Sequence, residues 1–85
     1  MTILMDTVVW DEAGGFVSFQ VSHEGKTLRV RYSDVYLQDG FSCQDPETEY
    51  QSCILGNTDR IVTLVTEKYQ SGDYPDGATI DFLDL

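Results

Sequence analysis

Carboxylates are the side chains of this sequence that could do chemistry. The 85 residues hold 15 Asp and Glu against five Lys and Arg and one His, which gives a formal net charge of −10. Such a charge attracts basic groups and repels phosphate backbones. The sequence therefore predicts a protein partner with a basic surface and argues against direct binding of nucleic acid.

The carboxylates are concentrated in the second half of the chain. Residues 1–44 hold six Asp or Glu and three Lys or Arg, whereas residues 45–85 hold nine Asp or Glu and two Lys or Arg. We expect this half to present a negative surface to a groove lined by Lys and Arg. The alternative is a solvated charge that only keeps a small domain in solution. The candidate binding residues are Asp45, Glu47, Glu49, Asp59, Glu67, Asp73 and Asp76.

Groups for catalysis or metal binding do not occur at the spacings that such sites need. His23 lies in a predicted hairpin loop, where we expect a surface residue, and it has no Ser, Cys or carboxylate at partner spacing. Asp73, Asp76 and Gly77 lack the alternating oxygen ligands and the closing Glu of a calcium loop. We therefore expect no enzyme, no metal site and no cofactor.

Cys43 and Cys53 lie ten residues apart, without a CxxC motif or a nearby His. This spacing argues against a zinc site. We predict two buried free thiols, because unpaired Cys is among the most buried residue types. The alternative is a disulfide, if the protein works outside the reducing cytosol.

Alternating apolar residues predict a strand meander in the first half of the chain. Two such runs flank the loop at residues 23–26 and predict a hairpin whose second face carries the basic cluster Lys26, Arg29 and Arg31. We expect this cluster to pair with nearby carboxylates. A further strand is predicted over residues 7–10, where Trp10 is expected to be the largest core anchor. The alternating residues are Val17, Phe19 and Val21, then Leu28, Val30 and Tyr32.

Helix start signals follow the predicted meander, from residue 33 onward. Ser33 or Asp34 can cap a short helix, which Gly40 is predicted to end in a left-handed conformation. Asp45 as a cap and Pro46 at the first helical position predict the start of a second helix.

A third helix is predicted over residues 59–70, before Gly72, with a strand as the competing alternative because β-branched residues lower helix propensity. Residues 78–83 alternate again and predict a closing strand. The apolar stripe of the third helix is formed by Ile61, Val62, Leu64, Val65 and Tyr69.

The order of these features resembles the small bacterial family called domain of unknown function 1488. The resemblance covers residues 8–83 and rests on the Trp10-Asp11 pair, on the turn residue Gly25 and on the apolar pattern. The chain departs from the family at the third strand, where Val30 or Arg31 stands in place of a common Cys, and in lacking a Glu-rich second helix. The resemblance implies an α+β fold with a strand meander and two or three helices, and it implies no reaction.

Together these patterns predict one domain over residues 1–85, of the α+β class, with an antiparallel meander of three strands plus a C-terminal strand packed against two or three helices. We expect a non-enzymatic protein that binds a basic protein surface, with a nucleic-acid-binding protein as one partner class. An inhibitor that mimics nucleic acid, of the anti-CRISPR or anti-restriction type, is one form of this hypothesis. The alternative is a bacterial accessory or regulatory protein of an uncharacterised family, without mimicry.

The sequence also predicts a location. The first six residues lack the basic start and long apolar run of a secretory signal, and no segment is long enough to cross a bilayer. We therefore expect a cytoplasmic protein with no membrane partner, in a bacterium or in the host cell if a phage encodes it.

Overall fold

The structure, a computed structural model, describes residues 1–83. These residues form one sheet with the strand order β1-β2-β3-β4, in which β1, β2 and β3 are antiparallel and β4 runs parallel to β3. The predicted α+β fold is confirmed. The elements in chain order are β1 (Thr2–Asp11), β2 (Phe16–His23), β3 (Lys26–Ser33), α1 (Asp34–Phe41), α2 (Pro46–Gly56), α3 (Thr58–Gln70) and β4 (Thr79–Phe82).

The predicted hairpin joins β2 to β3 through the two residues Glu24 and Gly25. Both have positive φ, 51° and 80°, which matches the twist that a two-residue hairpin needs. The resulting register places buried residues opposite one another, such as Phe19 opposite Val30. One face of the hairpin is therefore core, and the other carries Arg29 and Arg31, as predicted. The prediction is wrong for Lys26, which alternates in phase with the buried residues of β3 and contacts Tyr69 of α3.

Strand β1 is longer than the predicted strand over residues 7–10. Its pairing with β2 is irregular between Leu4 and Val9. Within this irregularity the Thr7 hydroxyl donates to the Leu4 carbonyl at 2.6 Å and accepts from the Gln20 amide at 2.8 Å. A side chain thus replaces part of the backbone ladder. The irregular pairing also breaks the alternation on which the sequence prediction depended.

The core lies between the sheet and the helices. Its largest fully buried side chains are Tyr32 and Phe19. Trp10 is only half-buried and stacks on Tyr50 of α2 with ring centroids 6.2 Å apart. The expectation that Trp10 is the largest core anchor is therefore wrong, because its position near the end of β1 leaves part of the ring outside the two layers.

Helix α1 begins as predicted and ends later. The Ser33 hydroxyl accepts from the Tyr36 amide at 3.0 Å and caps the helix. Gly40 lies inside the helix, and Ser42 takes the left-handed position with φ 56°. The two additional helical residues, Gly40 and Phe41, bring the Phe41 side chain into the core. This burial offsets the modest cost of Ser in the left-handed region.

Helices α2 and α3 occupy the predicted places. α2 begins at Pro46 with Asp45 at the N-cap position, as predicted, but the Asp45 side chain makes no capping hydrogen bond. Residues 59–70 are helical, which resolves the alternative of a strand. Ile61 and Val65, one turn apart, are both fully buried, so packing of one helix face outweighs the low propensity of β-branched residues.

Candidate acidic binding surface

The start of α2 carries three of the predicted binding carboxylates. Glu47 and Glu49 lie in its first turn and are exposed. Their charges are favourable at this end of a helix, where the unpaired amide groups give a partial positive charge. Asp45, just before the helix, is also exposed, and its carboxylate makes no capping bond. The N-terminus of α2 thus gathers three exposed carboxylates.

The geometry of α2 places these charges on both sides of the helix. Its core-facing residues are Pro46, Cys53 and Ile54. Glu47 and Glu49, two residues apart, point about 160° apart around the helix axis and so flank this buried stripe. The side of α2 that is turned away from the core carries uncharged residues. The acidic groups therefore border α2 rather than form a stripe along its outer side.

Helix α3 carries two further candidates on one side. Asp59 and Glu67 are both exposed and lie eight residues apart, which is about 12 Å along the helix axis. They point about 80° apart, away from the buried face formed by Ile61 and Val65. We call the carboxylates of Asp45, Glu47, Glu49, Asp59 and Glu67 the acidic helix surface.

The two basic residues of the helical region bind aromatic rings and a carbonyl instead of carboxylates. The Arg60 guanidinium lies 5.0 Å from the centroid of the Phe41 ring. The Lys68 ammonium lies 4.7 Å from the Phe82 ring and donates to the backbone carbonyl of Asp81. Among residues 1–83, no member of the acidic helix surface has an ion-pair partner within 4.0 Å. Its negative charge is left uncompensated.

The basic cluster on β3 makes different contacts. Arg31 pairs with Asp81 as the sequence predicts, through two hydrogen bonds of 2.6 Å. Lys26 instead donates to the Tyr69 hydroxyl at 3.0 Å and to the Tyr74 carbonyl at 3.3 Å. The hydrogen bond to Tyr69 raises the pKa of Lys26. Arg29 is exposed on the same strand.

The last two candidates, Asp73 and Asp76, lie in the connection between α3 and β4. The Asp76 carboxylate accepts a hydrogen bond of 2.7 Å from the Thr27 amide, which ties this connection to β3. The charge of Asp73 is one of those that raise the pKa of Lys26. These two carboxylates therefore act beside β3, apart from the acidic helix surface.

His23 ends β2 and does not lie in the hairpin loop. Its ring is half-buried and meets the Tyr69 ring edge-on, with centroids 5.0 Å apart. Its Nε2 lies 3.9 Å from the Glu24 carboxylate. The expectation of a surface loop residue is wrong here, because Tyr69 of α3 covers the end of the hairpin. Over residues 1–83 the structure shows no group of three or more His, Cys, Asp or Glu side chains placed to hold a metal ion.

A cavity beside the two cysteines could not be predicted from the sequence. Cys43 and Cys53 are free and buried, which confirms the prediction of two buried thiols. They line a cavity of about 320 Å³ together with Glu49, Ser52 and Asn57. Burial, and then the neighbouring Cys43 thiol, raise the pKa of Cys53 to about 12. A spacing of ten residues matches no thiol motif, so only the fold reveals that the two groups meet.

Comparisons with known proteins add no functional assignment. No family model, no curated protein and no solved structure matches the chain. The resemblance to the domain of unknown function 1488 family stays a prediction. Within the described residues, no helix is both long enough and apolar enough to cross a membrane.

Proposed function

We propose that this protein is a binding module whose acidic helix surface docks into a groove lined by Lys and Arg on another protein. The single observation that supports the proposal is the uncompensated charge of this surface. Arg60 and Lys68, the two cations of the helical region, bind aromatic rings and a carbonyl. The carboxylates around them remain available to an external cation.

The sequence itself prevents neutralisation within the helices. Side chains three or four residues apart on a helix are neighbours and form the usual local ion pairs. The positions three and four residues from Arg60 are 56, 57, 63 and 64, and those around Lys68 are 64, 65, 71 and 72. None of them is Asp or Glu. The carboxylates of α2 and α3 are thus kept out of intrahelical pairs.

Docking of such a surface would act mainly through long-range attraction. Opposite charges raise the association rate, and charges at the rim of an interface are worth little once salt screens them. A groove that normally holds a phosphate backbone has the required charge. We therefore favour a nucleic-acid-binding protein as the partner, which makes the chain a competitor of nucleic acid.

Competition can be tested directly. A lysate of the native host is bound to immobilised nucleic acid, and the purified protein is added at low salt. The proposal expects release of one or a few proteins, which then bind to the added protein itself. A triple variant, Glu47→Gln, Glu49→Gln and Asp59→Asn, should release nothing.

A matched variant controls for net charge. Asp6 lies in β1, and Glu12 and Glu24 lie in the turns at the two ends of β2; all three are exposed. Asp6→Asn, Glu12→Gln and Glu24→Gln therefore remove the same charge away from α2 and α3. This control should release the same proteins as the wild type. Equal loss in both triple variants would show that only net charge matters. A partner that binds without competing with nucleic acid would favour the accessory-protein alternative.

A further inference from the structure

The end of α1 brings together two thiols whose spacing in the sequence matches no thiol motif. Ser42 takes a left-handed conformation and reverses the chain, and the Cys43 amide then donates to the Leu37 carbonyl at 3.0 Å. This turn directs Cys43 toward α2, where Cys43 and Cys53 line one cavity. The two cysteines are only 7% and 8% exposed. The fold therefore brings them to the same place.

The thiol pair borders space that small solutes can enter. Both cysteines line the cavity of about 320 Å³, and Cys43 also lines a neighbouring cavity of about 410 Å³ with Gln38 and Gln44. A water molecule takes about 30 Å³ of liquid volume, so either cavity holds a molecule the size of a peroxide. Cys43 lines both cavities, whereas Cys53 lines only the first.

We propose that Cys43 and Cys53 are a reversible oxidation site that closes to an intramolecular disulfide when a hydroperoxide or a small disulfide supplies the oxidising equivalents. With hydrogen peroxide, the Cys43 sulfur attacks and breaks the O–O bond, which gives a sulfenic acid and one water. The Cys53 sulfur then attacks the Cys43 sulfur, the S–O bond breaks, and the Cys53 proton leaves with the hydroxyl as a second water. Two thiols and one peroxide become one disulfide and two waters.

The surroundings assign the two roles. Burial, the contact with Cys43 and the charge of Glu49 all keep Cys53 protonated, and a protonated thiol is a poor first nucleophile. Cys43 faces the larger open space and meets the oxidant first. Cys53 is then the resolving thiol, because it lines the same cavity as Cys43.

The test measures the disulfide equilibrium of the wild-type protein in glutathione buffers, with and without urea, after quenching by alkylation. Bridging lowers the intact mass by about 2 Da, and reductant restores it. Because the fold holds both cysteines at one cavity, the equilibrium constant should be at least tenfold larger in the native protein than in the unfolded chain. An equal or smaller equilibrium constant for disulfide formation in the native protein would overturn the proposal. This outcome includes the case in which the bridge itself unfolds the chain.

Mapping the bridge completes the experiment. Cleavage after Glu47 and Glu49 separates the two cysteines, so an internal bridge appears as one linked pair of peptides from a monomer. Neither Cys43→Ser nor Cys53→Ser should show the mass decrease of about 2 Da that marks an internal disulfide. In each variant, oxidation should stop at a mixed disulfide between the remaining cysteine and glutathione. Mixed disulfides or covalent dimers as the main wild-type products would contradict the proposal.

Discussion

Arg31 on β3 and Asp81 on β4 lie directly opposite each other in the parallel pair of strands, joined by two hydrogen bonds of 2.6 Å. The guanidinium also lies 4.9 Å from the centroid of the Phe16 ring on β2. One side chain thus links three neighbouring strands. Since β4 joins the sheet only after three helices, this contact is one of those that hold the returning chain beside β3.

The pair should contribute measurably to stability. A two-pronged contact between Arg and a carboxylate is stronger than a simple surface pair, but the two side chains are 30% and 39% exposed, so solvent screens them. A double-mutant cycle with Arg31→Gln and Asp81→Asn, measured by urea unfolding, should give a coupling of about 1 kcal/mol that shrinks in high salt. A coupling indistinguishable from zero would show that β4 is held by packing alone.

The Tyr32 hydroxyl is a second stability test. It is buried and has no hydrogen-bond partner among residues 1–83, while its ring packs against Phe19, Phe41 and Phe82. Tyr32→Phe keeps the ring and removes the unpaired group. Urea unfolding should show a gain of about 1 kcal/mol, because an unsatisfied buried hydroxyl costs about that much. A loss of similar size would mean that the hydroxyl has a partner in solution.

Trp10 and Phe19 should differ in their contribution to stability. Phe19 is fully buried, whereas Trp10 is half-buried against Tyr50. Phe19→Ala should cost about 4 kcal/mol, in the range of large core truncations, and Trp10→Ala about 2 kcal/mol. Both are measured by urea unfolding. The reverse order would place Trp10 in the core and Phe19 at its edge.

Stability should fall in alkaline solution. Burial raises the pKa of Tyr32, and burial with the contact to Cys43 raises the pKa of Cys53 from 9.0 to about 12. A raised folded-state pKa means that the folded protein prefers the neutral form. The contribution of Cys53 is therefore full below its unfolded pKa of about 9 and is lost as the pH rises toward 12.

Urea unfolding at about pH 8 and pH 10.5 checks this pH dependence. Cys53→Ala and Tyr32→Phe should each make the loss of stability smaller, because each removes a group that gains charge on unfolding. A loss that is the same in the wild type and in both variants would assign the alkaline destabilisation to other residues.

Sequence patterns predicted the fold well where one local rule dominates. The alternation through Phe19 and Val30 gave the hairpin, and Pro46 at the first helical position gave the start of α2. The prediction failed where a distant contact overrides a local preference. Gly40 lies inside α1 because Phe41 is buried in the core, and the Thr7 hydroxyl sustains a strand that alternation did not show.

The candidate site shows the same division. Sequence alone could name exposed carboxylates such as Glu47 and Asp59, because composition and helix-start signals are local. It could not show that Arg60 lies on the Phe41 ring, or that Asp76 is held by the Thr27 amide. These contacts join residues that are far apart in the chain, and only they determine which carboxylates are left without partners.

The acidic helix surface should be dispensable for folding. Surface carboxylates without partners contribute little to stability, and their mutual repulsion is unfavourable. The variant Glu47→Gln, Glu49→Gln, Asp59→Asn should unfold within about 0.5 kcal/mol of the wild type, or be slightly more stable. Destabilisation above about 2 kcal/mol would mean that these side chains hold the helices in place.

The role of the acidic helix surface is tested most directly by the affinity of the captured partner at increasing salt concentration. This affinity is measured for the wild type, for the acidic-surface variant and for the charge-matched control. For the wild type, affinity and association rate should fall steeply as salt rises, because screening removes the attraction. The variant Glu47→Gln, Glu49→Gln, Asp59→Asn should bind at least about tenfold more weakly at low salt, with a flatter salt dependence. The charge-matched control on Asp6, Glu12 and Glu24 should behave like the wild type. An affinity that barely changes with salt, or an acidic-surface variant that binds as tightly as the wild type, would contradict the proposed function and indicate an apolar interface.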